Sequence, residues 1–171
     1  SHPMSIKISL NEEISHEKIL NQNSSLVDTI FSVPDGGQIT WEANENKFIN
    51  SDLTINGDLV IMEGVMVDLA NHVNITVNGS VKALGNKNNP IIFKSKEWDE
   101  PWGGFEFYNS ESSFDNCFFV NGGGDPDKGW AHTDTQPIIF AKENSDISIL
   151  SSYFLYSPGK GLGSRASKLK V

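Results

Sequence analysis

From Leu53 onward, apolar and polar residues alternate in short runs broken by Asn, Gly, Asp and Lys. Alternation with a period of two marks strands that bury one face. The inward positions read as Leu53/Ile55, Leu59/Ile61, Val65/Val67/Leu69, Ile75/Val77, Val81/Ala83, Ile91/Phe93 and Phe105/Phe107. Within this pattern, Leu53-Thr54-Ile55-Asn56-Gly57-Asp58-Leu59-Val60-Ile61 returns 22 residues later as Ile75-Thr76-Val77-Asn78-Gly79-Ser80-Val81-Lys82-Ala83. Thr, Asn and Gly recur identically and the apolar positions recur by type. A hairpin at each Asn-Gly is the competing pattern, but hairpins do not explain a displacement that preserves strands and turn together.

A period in the twenties predicts stacked repeats, each burying its apolar face only against its neighbours. Twenty-two residues, at roughly 3.3 Å each where extended, close a three-sided coil with short corners. The next coil then stacks about 4.8 Å along the axis and pairs in parallel. Asn56-Gly57 and Asn78-Gly79 read as corners, since both residue types tolerate positive φ. A leucine-rich repeat would need L-x-x-L-x-L-x-x-N, which is absent.

The repeat continues through insertions. Val65-Met66-Val67 maps onto Ile91-Ile92-Phe93 at a displacement of 26. Phe105-Glu106-Phe107 maps onto Ile138-Ile139-Phe140 at 33, and Cys117-Phe118-Phe119 onto Ser152-Tyr153-Phe154 at 35. Removing Gly122 to Thr133 returns that coil to about 22 residues. The alignment places Asn116 under Ser151, as a polar ladder, and Phe119 under Phe154, as an inward aromatic stack. About four coils fit. Residues 51–163 are assigned to coils, 5–50 to an N-terminal cap, 164–171 to a tail and 1–4 to a cloning remnant. In the cap, Ile6-Lys7-Ile8-Ser9-Leu10 alternates as a strand, residues 11–20 suit a short helix begun by Asn11, and Pro34-Asp35-Gly36-Gly37 is a turn by composition. Gly161-Leu162-Gly163 starts a rung that nothing after it covers, which implies a piece of a longer protein or a covering partner chain.

Pro90-Ile91-Ile92-Phe93, Trp102-Gly103-Gly104-Phe105-Glu106-Phe107 and Ser112-Ser113-Phe114-Asp115-Asn116-Cys117-Phe118-Phe119 resemble coil motifs of the right-handed parallel β-helix, or pectate-lyase-like, superfamily. The resemblance spans about 53–163, two thirds of the chain. It implies an all-β, right-handed, single-stranded parallel β-helix from a secreted or cell-surface bacterial protein. It does not imply one activity, because many unrelated activities sit on one fold.

Charge narrows the partners. The 22 acidic and 13 basic residues give a formal charge of −9, which argues against nucleic acid or anionic lipid as partner. No apolar run approaches the length of a membrane span. Cys117 is the single cysteine, so no intrachain disulfide forms, and its strand context reads as a buried inert thiol. There is no G-x-S-x-G, no phosphate loop and no EF-hand loop. Family lyases with an Arg base find no match, because Arg165, the sole arginine, falls in the assigned tail. Thr54 over Thr76 is one step of a threonine ladder, too short for an ice-binding array.

Two insertions carry the least ordinary chemistry: Lys96–Trp102 and Gly122–Asp134. Each precedes an equivalent strand, so they are expected to leave the same edge on successive rungs. That would gather Trp98, Trp102 and Trp130 with Asp99, Glu100 and His132 as a ligand site. Indole faces pack on sugar CH groups, and carboxylates accept from hydroxyls. Asp125, Asp127 and Asp134, as hard oxygen donors, form a weaker candidate set for Ca²⁺, with no cofactor otherwise expected. The simpler alternative is that Trp102 points inward and the loops pack on each other. The resulting expectation is a non-catalytic scaffold or adhesin-like module with a glycan as partner. The alternative is a polysaccharide lyase or glycoside hydrolase using Asp125 with Asp134 or Asp99, since a glycosidase needs two carboxyls about 5–10 Å apart.

Overall fold

The computed structural model describes residues 33–171. Among the described residues, sixteen strands wind through three sheets in a fixed order. Sheet I holds β1 (Gln38–Trp41), β4 (Asp58–Ile61), β7 (Ser80–Leu84), β10 (Glu111–Asp115), β13 (Asp146–Leu150) and β16 (Lys168–Lys170). Sheet II holds β2 (Asn46–Ile49), β5 (Met66–Leu69), β8 (Ile91–Ser95), β11 (Cys117–Val120) and β14 (Tyr153–Leu155). Sheet III holds β3 (Leu53–Ile55), β6 (Ile75–Val77), β9 (Phe105–Tyr108), β12 (Pro137–Lys142) and β15 (Lys160–Arg165). Every ladder between these strands is parallel. The chain visits I, II and III in turn and climbs one rung per circuit, giving a right-handed single-stranded parallel β-helix. Right-handedness follows from the twist of L-residue strands, which favours right-handed crossovers between parallel neighbours.

The described residues form five full coils and a sixth strand in sheet I, rather than four coils. The solenoid also reaches beyond the expected bounds. β1 and β2 pair with β4 and β5, so residues 38–49 are a rung and not cap. That rung is displaced by 20 residues from the next, Gln38 facing Asp58, and not by 22, which hides the period. At the other end β15 and β16 pair with β12 and β13, so the assigned tail is a rung as well. Its lysines point outward while Leu169 sits over Ile147. The predicted strand and helix in residues 6–20 lie outside the described residues. The Pro34 turn is present: the Gly37 N–H donates to the Pro34 carbonyl at 2.9 Å, and Gly36 has φ 72°.

Every inward position read from the alternation is buried. The middle coils carry most of the buried aromatic rings. Phe93, Phe119 and Phe154 stack along the axis with centroids 5.2 and 4.8 Å apart and planes within 9° of parallel. Phe114 meets Phe105 and Phe119 edge-on at 5.5 and 5.4 Å. Stacked and edge-to-face rings add roughly 0.5–1.5 kcal/mol per pair to the area they bury.

The displacements of 22, 26 and 35 hold in the observed register. The displacement of 33 does not: Phe105 faces Ile139, a displacement of 34. One residue of slip exchanges the two faces of a strand. Phe140 therefore points outward, and Ala141, not Phe140, lies over Phe107.

The corners are built differently from expectation. Asn56, Gly57, Asn78 and Gly79 do not adopt positive φ. Glycine is required there by stacking: a Cβ on Gly79 would overlap the Gly57 carbonyl oxygen, and one on Gly57 the Gly37 carbonyl oxygen. The polar ladder also runs at this corner, Asn78 Nδ2 donating to Asn56 Oδ1 at 2.9 Å and Ser80 Oγ to Asp58 Oδ1 at 2.6 Å. Asn116 and Ser151 are both left-handed, at φ 50° and 47°, but do not form the expected ladder. Asn116 Nδ2 turns to Asp115 Oδ1 at 2.8 Å instead.

Candidate functional site

Both insertions do leave the corner between sheets II and III on successive rungs, after β8 and after β11. A third, shorter corner follows β14 on the rung above. Hydrogen bonds join the three, the third through Ser157 Oγ donating to the Gly122 carbonyl at 2.7 Å. The Gly123 and Gly124 N–H groups donate to the carbonyls of Gly103 (2.6 Å) and Trp102 (2.9 Å). Gly122 to Gly124 are thus stacked corner, and the true excursion is about Asp125 to Thr135. It contains 3-10 turns at Pro126–Lys128 and Ala131–Thr133.

Asn74 is the node of this corner. It is 5% exposed. Its Nδ2 donates to the His72 carbonyl at 2.9 Å and to Asp125 Oδ2 at 2.6 Å. Its Oδ1 accepts from Gln136 Nε2 at 2.6 Å and from the Gly104 N–H at 3.2 Å. Its own N–H donates to Asp52 Oδ1, one coil below, at 2.8 Å. Gln136 Oε1 in turn accepts from the Asp125 N–H at 2.9 Å. Asp125 also caps the first 3-10 turn, accepting from the Asp127 N–H at 2.9 Å. Its carboxylate therefore anchors the excursion to the coils.

The three tryptophans have separate surroundings. Trp102 is fully buried, its Nε1–H donating to the Val120 carbonyl at 2.9 Å and its ring edge-on to Phe105 at 6.0 Å. It is a core side chain, as the simpler alternative had it, because the Trp-Gly-Gly-Phe segment enters β9 directly. Trp130 is half-buried. It lies on the outward Phe140 with centroids 4.8 Å apart, and Lys160 Nζ sits 5.6 Å from its ring and donates to its carbonyl. Trp98 is 65% exposed and meets Tyr156, itself 72% exposed, edge-on at 5.1 Å. Asn121 Nδ2 holds the Trp98 carbonyl at 2.8 Å. Trp98 and Tyr156 come from corners two rungs apart, and Tyr156 was not among the sequence candidates. Its signal was the equivalence of the corner after β14 to the two longer ones.

Asp99, Glu100, Asp127, His132 and Asp134 are all exposed. Asp134 closes the second 3-10 turn in a left-handed conformation, φ 49°. Among the described residues, no three Asp, Glu, His or Cys side chains converge as a metal cage requires. Cys117 is fully buried; burial, reinforced by the Asp115 charge, pushes its thiol up to about 12. It is not poised as a nucleophile.

The corrected register reveals a cluster that the sequence reading missed. Glu106, outward on β9, is almost fully buried beneath the excursion. Lys142 Nζ lies 3.1 Å from its Oε1, and Tyr108 Oη donates to its Oε2 at 3.0 Å. Lys128, from the first 3-10 turn, reaches within 3.7 Å. Burying a carboxylate is costly unless it is paired and hydrogen-bonded, and here it has both. Arg165 belongs to β15 in register with Lys142, not to a frayed end. Comparison with protein-family models, with curated proteins and with solved structures finds no match.

Proposed function

We propose that this chain is a non-catalytic β-helix scaffold, an adhesin-like module of a secreted or surface protein, that binds carbohydrate at the corner between sheets II and III. The reading keeps the likeness of the coil motifs to the pectate-lyase-like superfamily as its reason for placing the module outside the cell. The observation that carries it is the exposed Trp98–Tyr156 pair. Large aromatic side chains left in solvent on a rigid stacked corner suit the CH face of a sugar ring. Asp99 and Glu100 follow Trp98 directly and would accept from sugar hydroxyls. The non-catalytic reading is supported by Asp125, whose carboxylate is occupied by Asn74 and the Asp127 N–H.

The test is a glycan array with the parent chain and with Trp98→Ala and Tyr156→Ala variants. The expected outcome is a restricted set of glycans whose signal both substitutions abolish. Absence of signal on every glycan removes the binding role. Release of product from a polysaccharide, abolished by Asp125→Ala, overturns the non-catalytic one.

A further inference from the structure

The outward positions of sheet III form two columns. One holds Glu106 and Phe140; in the other, Tyr108 faces Lys142 and Lys142 faces Arg165. Adjacent rungs are about 4.8 Å apart, so Lys142 and Arg165 set two cations directly opposite each other. Like charges so placed destabilise a sheet. Lys142 has compensation, with Glu106 Oε1 and Tyr108 Oη both 3.1 Å from its Nζ. Of its three N–H groups two are engaged and one is left over. Among the described residues Arg165 pairs with no carboxylate. Both cations, with Tyr108, Glu143 and Ala166, line a surface pocket of about 400 Å³, within the size range of small-molecule sites. Two facing cations over a pocket, one of them without a carboxylate partner among the described residues, on a chain of formal charge −9, call for an anionic occupant.

We propose that this pocket binds a tetrahedral oxyanion, a sulfate or phosphate ester, carried on a small neutral body. Arg165 offers two N–H groups in a fixed fork and Lys142 the third, matching the three terminal oxygens of such an ester. A planar carboxylate satisfies the fork and leaves the Lys142 N–H unmatched. Glu106 and Tyr108 hold the Lys142 ammonium in place. Glu143, which also lines the pocket, opposes a second anionic group on the ligand body. The pocket lies at the corner between sheets III and I, away from Trp98 and Tyr156, so it stands or falls independently of the glycan reading.

Titration calorimetry of the whole chain with glucose 6-sulfate, glucose 6-phosphate and glucuronate tests this. Both esters bind saturably, more weakly as salt is raised, and glucuronate binds about tenfold or more weakly. The stronger ester identifies the source of the group. Arg165→Gln reduces ester affinity about tenfold or more without lowering the unfolding midpoint, since Arg165 is exposed and faces a like charge. Arg165→Lys restores part of the affinity, keeping the charge but not the fork. The proposal is overturned by no saturable heat with either ester, by glucuronate binding as well as they do, or by unchanged affinity in Arg165→Gln.

Discussion

Asn74→Ala removes the node on which two coils and the excursion depend. Four side-chain hydrogen bonds disappear, to His72, Asp125, Gly104 and Gln136. The partners are not equally harmed. His72 is exposed and Asp125 half-buried, so water replaces the amide there at little cost. The Gly104 N–H and Gln136 Nε2 are in buried residues and become unpaired. A buried polar group left without a partner costs roughly 1–3 kcal/mol, and the small void left by the truncated side chain adds to this. The expected loss is about 3–5 kcal/mol, a large part of a typical total of roughly 5–15 kcal/mol. For a domain of this size it lowers Tm by roughly 6–20 °C. Denaturant unfolding followed by circular dichroism measures the loss. Limited proteolysis reports whether the Asp125–Thr135 excursion is released first. Asp125→Asn, which keeps an acceptor oxygen for Asn74, loses no more than about 1 kcal/mol. A loss below about 1 kcal/mol in Asn74→Ala would show that the node is incidental and that backbone stacking alone holds the corner.

Further outcomes follow from the same geometry. Trp102→Phe loses the bond to the Val120 carbonyl and part of a buried ring, about 2–4 kcal/mol in denaturant unfolding. Trp98→Ala, whose ring is exposed, stays within about 1 kcal/mol of the parent; equal losses in the two would refute the assignment of core and surface. Gly79→Ala drives a methyl into the Gly57 carbonyl and destabilises by about 2–3 kcal/mol. Gly36→Ala meets open space and bears only the left-handed strain of φ 72°, about 1–2 kcal/mol. Burial pushes the folded Cys117 thiol up to about 12, well above the range of a free thiol, so above about pH 9 the unfolded chain has lost a proton that the folded chain keeps. Stability then falls as pH rises from about 9 to about 12, by up to about 1.4 kcal/mol per pH unit. Cys117→Ala lacks that part of the slope. In the parent, a thiol reagent at pH 8 modifies Cys117 only after denaturant is added.

The repeat itself was written in the chain. Residues 53–61 and 75–83 carry the same alternation and the same corner, and coils that stack in register need like residues above like. That was enough to place the inward side chains of β3 to β9, the stacked insertions and the Phe119–Phe154 pair. What failed to read through was register across a long excursion. With about a dozen residues intervening, Ile138-Ile139-Phe140 matches Phe105-Glu106-Phe107 by type at a displacement of 33, yet the backbone pairs at 34. A three-residue apolar run has no inside or outside of its own; the facing rung decides. That single residue put Phe140 under Trp130 and aligned Lys142 with Tyr108 and Arg165. The first and last rungs were hidden for a related reason. Asn46–Ile49 is displaced by 20 residues rather than 22 from its neighbour and Lys168–Lys170 has a single apolar residue, so only pairing with a neighbour fixes them. The corner glycines were right in position and wrong in cause, since a Cβ clash with the coil below leaves no trace in local φ preferences. The sequence determined which residues recur and hence the coil. The tertiary structure alone decided which of three tryptophans meets water, because burial is a property of the neighbours that stacking brings, not of the residue.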